Sequence, residues 1–414
     1  MEIIKIIPPS KPINTSIKLV SSKSESNRAL IIQAVSPNKI ELTNLSDARD
    51  TQTLQKLLNS EDEILDVLDA GTTMRFLTAY IALSGKHKIL TGTPRMCERP
   101  IGHLVDALRS LGAKIDYLKK DGYPPLKTGG FFYSGKNHIK IKGDVSSQYI
   151  SALLMTAPLL PEGLIIEIEG KINSKPYIDM TLQLMAHFGV FGKWENNYTI
   201  KIEQGQTYVS NQYEIESDWS GSSYWFSIVA LSPFPDTHIQ LHGLKENSLQ
   251  GDKIIMELMN PMGVQSEFTP TGLSLRKKEH INELHIDFNS CPDLAQTLST
   301  CAAGKGIRLH LSGLDSLRIK ETDRISALQN ELKKIGSELV EDTQENFVVK
   351  PIKEKWKHLV CIETYDDHRM AMAFAPLSFI NFIAIKDPKV VNKSYPTFWE
   401  HLQQAGFNLT RYTE

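Results

Sequence analysis

Five glycines, Gly112, Gly189, Gly263, Gly336 and Gly406, recur at intervals of 77, 74, 73 and 70 residues, and each closes an amphipathic stretch with helical spacing (104–112, 181–189, 255–263, 325–336 and 398–406). Glycine ends a helix readily because it enters the left-handed conformation without a Cβ clash. Between these stretches lie short strand-like runs at 88–90, 138–141, 164–168, 198–202, 238–241, 284–288, 307–311 and 347–349. A unit of about 70 residues repeated along the chain gives about six copies, an α/β architecture of similar supersecondary pieces that bury their apolar faces together. The first copy departs from the pattern. Its best helix, 51–59, has no glycine after it, so that unit is expected to lack a loop or a strand.

A chain of 414 residues exceeds what one core supports, so two domains of about 200 residues are expected. Lysine and arginine total 46 against 48 acidic residues, which argues against a nucleic-acid-binding surface and makes any cationic site local. Cys97, Cys291, Cys301 and Cys361 are far apart and form no CxxC pair, which fits reduced thiols of a cytoplasmic protein and neither a disulfide framework nor a zinc site. No metal is expected. Residues 1–11 lack the apolar core of a signal peptide and read as a strand. The apolar window 370–385 is broken by Pro376, Ser378 and Asn381, too short for a membrane span and consistent with a buried helix followed by a strand.

The chemistry concentrates in short polar segments. Lys320-Glu321-Thr322-Asp323-Arg324 packs two cations among three polar residues, two of them acidic, at the start of a helical stretch, a cluster able to grip an anion and move a proton. Related cationic groups stand at 23–28, 95–99, 366–369 and Lys393, which implies a cleft built from distant segments and a substrate with several negative charges. Serines 21, 22, 24 and 26 surround Lys23 and Arg28 before an apolar helix, an anion site or a plain N-cap. Asp69-Ala70-Gly71-Thr72-Thr73 opens another helix, where glycine permits close approach of a ligand. Pro94 to Pro100 brings two guanidiniums, Arg95 and Arg99, beside a helix start, and Ser146-Ser147-Gln148 supplies neutral donors before another. Asp293, after Cys291-Pro292, is a helix cap or a general base. Neither a Walker A loop nor a GxGxxG fingerprint occurs, so ATP and NAD are not expected, and no cofactor is assigned.

Taken in order, these segments resemble the EPSP synthase family of enolpyruvyl transferases (3-phosphoshikimate 1-carboxyvinyltransferases): SKSxSNRAL at 22–30, AGTTMR at 70–75, PRMCERPIGHLVDAL at 94–108, SSQYISALLMTAP at 146–158, SKPYIDMT at 174–181, KETDR at 320–324, DDHRMAMAF at 366–374 and NKSYPTF at 392–398. The resemblance implies a two-domain inside-out α/β barrel of six βαβαββ units, three per domain. Residues 1–22 plus 216–414 would form the C-terminal-type domain, carrying the phosphoenolpyruvate side and the general base, and 23–215 the N-terminal-type domain, carrying shikimate 3-phosphate. The domains would close around their anionic ligands. The implied reaction is transfer of the enolpyruvyl group to the 5-hydroxyl of shikimate 3-phosphate by addition and elimination through a tetrahedral intermediate, a step of the shikimate pathway toward chorismate and the aromatic amino acids. It implies a cytoplasmic monomer with these two small-molecule substrates and no nucleic-acid or membrane partner.

Residue by residue, the resemblance puts Lys23, Ser24, Arg28, Ser146, Ser147, Gln148, Ser174, Tyr177, Asp293, Ser316 and Lys320 at shikimate 3-phosphate positions. Lys23, Gly71, Arg99, Gln148, Arg324, Arg369 and Lys393 match the phosphoenolpyruvate positions. Asp293 matches the group that deprotonates the attacking hydroxyl, and Lys320, Glu321 and Lys23 match groups that bind substrate or transfer protons. Gly71 also matches the glycine associated with glyphosate sensitivity. Asp69 stands where many members carry Asn, Ser21-Ser22 where Gly-Ser is frequent, and Ser316 where Asn is common, which bears on affinity and inhibitor response. The rival enolpyruvyl transferase acting on UDP-N-acetylglucosamine commonly carries a reactive cysteine five residues before the arginine of an Arg-Pro pair. Here that position is Pro94, and Cys97 is only two before Arg99. A noncatalytic anion-binding protein would be expected to lose Asp293, Lys320 and Glu321, all of which are present.

Overall fold

The computed structural model describes residues 2–144, 146–343, 346–354 and 356–413. The chain divides into a continuous unit, Ser22–Ile215, and a split unit made of Met1–Ser21 with Glu216–Glu414.

One repeat of the continuous unit shows the construction. Strands Ile64–Asp66 and Ile89–Thr91 run parallel, joined through helix Gly71–Leu83, and helix Gly102–Leu111 leads into the antiparallel hairpin Ala113–Tyr117 and Leu126–Phe131. The hairpin's second strand returns against Ile89–Thr91, so the sheet order is first, second, fourth, third. His138–Lys142, Leu164–Glu169, Gly192–Asn196 and Thr199–Ile202 repeat that order, with helices Ser147–Thr156 and Lys175–His187 between them. The remaining repeat has only two strands, Gln212–Glu214 parallel to Glu41–Thr43, served by helices Lys23–Val35 and Arg49–Leu58. After Leu58 the chain passes directly to Ile64, so the repeat that lacks a terminal glycine lacks the whole hairpin that such a glycine normally precedes.

The split unit holds three four-stranded sheets of the same order. One is built from Glu283–Asp287, Arg308–Ser312, Glu338–Thr343 and Asn346–Lys350. In the second, Glu2–Ile7 supplies the fourth strand beside Val360–Ile362, Ile383–Lys386 and Asn408–Thr413; in the third, Asn14–Lys18 supplies the first, beside His238–His242, Val264–Thr269 and Gly272–Lys277. The N-terminal segment thus completes two repeats. Where the chain re-enters this unit, Ser21 bridges Ser217, and the Asp218 amide donates to the Val20 carbonyl at 2.8 Å.

Burial follows the same logic in both units. Helix Trp219–Leu231 is buried at every position, as are His368–Phe374 and the Ala295–Ala303 part of the helix ending at Lys305. A helix without a polar face must lie inside. The sheets lie outside and alternate, as in exposed His138, buried Ile139, exposed Lys140, buried Ile141 and exposed Lys142. Gly112, Gly189, Gly263, Gly336 and Gly406 all have positive φ, between 75° and 113°, as their role in ending helices requires. The stretch read as helical over 255–263 is only partly so, because a 3-10 turn, Gly251–Ile254, precedes a five-residue helix, Ile255–Met259.

This topology positions the chemistry. Each repeat's first two strands are parallel, so both of its strand-to-helix junctions fall at the same end of its sheet, where free N–H groups and helix dipoles favour anions.

Candidate active site

In the split unit, Asp293 lies in a 3-10 turn, Pro292–Leu294, that leads into helix Ala295–Lys305. Three cations converge on its carboxylate. Arg369 Nη2 donates to Oδ2 at 2.8 Å, Arg324 Nη1 donates to Oδ1 at 3.0 Å, and Lys320 Nζ stands 3.7 Å from Oδ1. Arg369 also donates to the Asp293 carbonyl at 3.1 Å, which fixes the backbone of the turn.

Arg324 is the hub of the cluster. Its Nη2 donates to Glu321 Oε2 at 2.9 Å and its Nε to Asp367 Oδ2 at 2.7 Å, so this fully buried guanidinium touches three carboxylates. Burial works against its charge, but Asp367, Glu321 and Asp293 outweigh that and hold its pKa above the usual arginine value. Asp323 caps the helix that begins at Arg324 by accepting from the Ile325 and Ser326 amides, and Asp367 caps the next through the Arg369 amide. Lys393 Nζ, in a residue only 1% exposed, stands 3.7 Å from Glu321 Oε1. Burial would raise the Asp293 pKa, yet Arg369, Lys320 and Arg324 drive it well below the carboxylate range. Asp252 has the opposite shift: burial, then the Asp293 charge, pushes its carboxyl up to about 7 despite a hydrogen bond from Ser220.

The continuous unit holds a second constellation at its helix starts. Arg28 is buried between the Phe76 and Tyr177 rings, and it donates to Thr181 Oγ1 at 2.7 Å, the Ser24 carbonyl at 2.9 Å, Ser151 Oγ at 3.2 Å and the Tyr177 carbonyl at 3.3 Å. Burial lowers its pKa to about 10, still charged at neutral pH. It therefore ties helix Lys23–Val35 to helices Ser147–Thr156 and Lys175–His187. Lys23, at the first position of its helix, donates to Asp50 Oδ2 at 3.1 Å. Ser146 caps the helix that starts at Ser147 by accepting from the Gln148 amide, and Gln148 Nε2 donates to Thr72 Oγ1 at 3.1 Å. Ser174 sits in the left-handed region, φ 58°, immediately before helix Lys175–His187.

Helix Gly71–Leu83 begins without a side-chain cap, and the Arg99 guanidinium lies directly over its first residue. Arg99 is 7% exposed, and its Nε has no hydrogen-bond partner among the described residues. A buried cation resting on an uncapped helix start is prepared for an anion.

The two guanidiniums read beside one another in sequence part company here. Arg95 is exposed and pairs with Glu98 at 3.4 Å, while Arg99 turns inward, because only Arg99 follows the short helix Pro94–Cys97 into the core. Asp293, Lys320, Glu321, Arg324, Arg369 and Lys393 come together through the contacts above; Ser316 lies half-buried on the 3-10 turn Asp315–Ile319. Sequence reasoning gave no role to Asp50, Ser151, Thr181, Asp252 or Asp367 individually, and took Thr72 only as part of the helix opening at 69–73. Asp367, Thr181 and Ser151 lay within recognisable motifs and could have been found there. Asp50, in Ala48-Arg49-Asp50, had no distinguishing neighbour.

The family model of EPSP synthase (3-phosphoshikimate 1-carboxyvinyltransferase) matches residues 53–402. A 3-phosphoshikimate 1-carboxyvinyltransferase of Bacteroides fragilis is 46% identical over 402 residues, 96% of each chain. One from Haemophilus influenzae is 37% identical over 438 aligned residues, covering 98% of this chain and 99% of that one. A solved EPSP synthase from Acinetobacter baumannii superposes along the whole of both chains with a TM-score of 0.78 at 20% identity, a likeness of fold. With a family match spanning most of the sequence and relatives aligned nearly end to end, the chain belongs to the EPSP synthase (3-phosphoshikimate 1-carboxyvinyltransferase) family.

Proposed function

We propose that this protein transfers the enolpyruvyl group of phosphoenolpyruvate to the 5-hydroxyl of shikimate 3-phosphate, releasing phosphate, as a step in aromatic amino-acid biosynthesis. The observation that carries the reading is the convergence of Lys320, Arg324 and Arg369 on the Asp293 carboxylate, with Glu321 on the same arginine. It combines a base, a proton donor and anion-binding groups in one network.

The chemistry assigned to these residues follows from their charges. Without substrate, Asp293 is the counter-ion of three cations and a poor base. A phosphoenolpyruvate anion engaging Arg324, Arg369 and Lys393 takes over that role, so the Asp293 pKa rises and the carboxylate can accept the hydroxyl proton. Lys320 and Glu321 carry the proton that reaches the enol methylene carbon, and the adjacent carbon receives the hydroxyl oxygen. In the elimination that follows, the C–O bond to phosphate breaks, a methyl proton leaves, and the cations stabilise the departing dianion.

In the continuous unit, Arg99 over the Gly71 helix start, with Lys23 and Gln148, takes the remaining charge of phosphoenolpyruvate. Ser24, Ser146, Ser147, Gln148, Ser174 and Tyr177 orient shikimate 3-phosphate, and Arg28 holds three of the helices that present them while matching the same substrate. Ser316 is assigned to that substrate from the split unit. Among the described residues no helix is long and apolar enough to cross a membrane.

Phosphate release by the purified protein, with both substrates and in parallel with UDP-N-acetylglucosamine, tests the assignment. Release that requires shikimate 3-phosphate is expected. Release only with the nucleotide sugar, or none with either acceptor, would refute it.

A further inference from the structure

On the exposed face of the sheet whose first strand leads to the Asp293 turn, strands Glu283–Asp287 and Arg308–Ser312 run parallel, with Glu283 opposite Arg308 and His285 opposite His310. The two-residue period of a strand puts Glu283 and His285 on one face, and the register brings His310 onto it. His285 and His310 stack with ring centroids 4.1 Å apart and planes 9° from parallel, and His310 Nε2 lies 2.8 Å from Glu283 Oε1. Ligand-type atoms of all three residues lie within 4.8 Å of one another, and Glu283 and His285 are exposed. None of the three belongs to the catalytic network.

We propose that Glu283, His285 and His310 form a surface site for one divalent transition ion of the Zn2+ class. Two imidazoles and a carboxylate are the donor set such borderline ions prefer, and three protein ligands leave a coordination position for water. A tetrahedral ion at bond lengths of about 2.1 Å needs donor atoms about 3.4 Å apart. The ligand-type atoms lie within 4.8 Å, so the proposed site requires them to draw together by up to about 1.4 Å, a movement asked of the exposed Glu283 and His285 side chains. Arg308 shares the face and opposes a bound cation, which keeps the site weaker than a closed structural centre.

The expectation of no metal rested on cysteine spacing and does not bear on this set, whose histidines are 25 residues apart and meet only through the parallel register. The ion would clamp the two strands that run on toward Asp293 and toward Lys320. Its function is to stabilise that pair; the catalytic groups do not touch it.

The test is calorimetric titration of the full-length protein with Zn2+ alone in a non-chelating neutral buffer, alongside His285→Ala, His310→Ala and Glu283→Gln. Wild type is expected to bind one equivalent with a dissociation constant on the order of micromolar and to melt at higher temperature with the ion. Each histidine variant should lose about 100-fold or more in affinity, since even groups supporting a ligand are worth 10- to 100-fold. Enzymatic activity without added metal should be unchanged in both, which also shows that they fold. A Cu2+ spectrum showing two equatorial nitrogens in wild type and one in each histidine variant would support the same set. Undiminished binding in either histidine variant, or no binding by wild type at roughly millimolar Zn2+, would overturn the proposal.

Discussion

Replacing Gly71 by alanine isolates one contact of the proposed phosphoenolpyruvate site. A Cβ at position 71 would stand 2.6 Å from Arg99 Nη1 and 2.9 Å from both Cζ and Nη2. Ordinary contact needs about 3.5 Å, so the guanidinium must retreat by roughly 1 Å. The three nearest atoms all belong to the far end of the Arg99 side chain, and Gly71 is helical with no positive φ, so the clash falls on Arg99 and the helix backbone is not strained. The cost therefore falls on the ligand. Losing one charge-assisted hydrogen bond costs about 1.5–3 kcal/mol, or about 10- to 150-fold in affinity. Steady-state kinetics at saturating shikimate 3-phosphate should show KM for phosphoenolpyruvate rising by that factor, with KM for shikimate 3-phosphate changed much less and the melting temperature within a degree or two. If KM for phosphoenolpyruvate stays within twofold of wild type, Arg99 does not bind that anion.

Arg369→Ala should raise the same Michaelis constant by about 10- to 150-fold, and an unchanged value would contradict the assignment. Asp293→Asn removes the proposed base while keeping its shape, so kcat should fall by about 10²- to 10⁴-fold; near-normal turnover would remove Asp293 from the reaction. Asp252 titrates near 7 when folded, so between about pH 4 and 7 the native chain holds a proton that the unfolded chain has released. Its contribution to stability therefore falls as pH rises through that window, by about 1.4 kcal/mol per unit at most. Asp293, with a depressed pKa, contributes stability that is present above about pH 4 and lost in acid, so it is silent in the same window. Urea unfolding at pH 5 and 8 should show a smaller pH difference in Asp252→Asn than in wild type, and equal differences would place that titration elsewhere.

The repeat was legible because its signal is local. A left-handed glycine after an amphipathic helix is a backbone requirement, and it survives in five places whatever surrounds it. Even the defective copy announced itself by lacking the glycine, although how much was missing, a whole hairpin, depended on pairings invisible in the string. The charged motifs were legible as types of residue but not as partnerships. Arg95 and Arg99 look equivalent four residues apart, yet one is a surface ion pair and the other is buried over Gly71. Asp252 reads as an ordinary acid after Gln250-Gly251, and only its burial beside Asp293 makes its proton affinity unusual. The Glu283, His285 and His310 cluster exists only because of strand register.

The placement of the proposed residues has a single topological cause. Lys23, Gly71, Ser147 and Lys175 begin core helices, Ser174 and Ser146 immediately precede two of them, and Arg99 precedes helix Gly102–Leu111. In the split unit, Asp293 lies in the turn that leads into helix Ala295–Lys305, Arg324 begins helix Arg324–Lys334, Arg369 is the second residue of helix His368–Phe374, and Lys393 ends the 3-10 turn before helix Phe398–Gln404. Apart from Lys23, whose preceding strand Asn14–Lys18 belongs to a sheet of the split unit, each lies in the segment that leaves a strand of its own unit and enters a helix. A βαβαββ unit has two such junctions at one end of its sheet, so repeating the unit multiplies dipole ends and free amides there without requiring any particular side chain. That backbone endowment suits anions in general. What distinguishes this chain is how its carboxylates divide the cations. Asp50 takes Lys23, Asp293 shares Lys320, Arg324 and Arg369, and Arg99 is left for a ligand. A substrate anion in the split unit must displace a carboxylate, whereas one at Arg99 need not. The order of anion affinities this predicts is measurable: inorganic phosphate should protect Arg99 from a guanidine-directed reagent at lower concentration than it protects Arg369, and the reverse order would show that Asp293 does not hold its cations against a ligand.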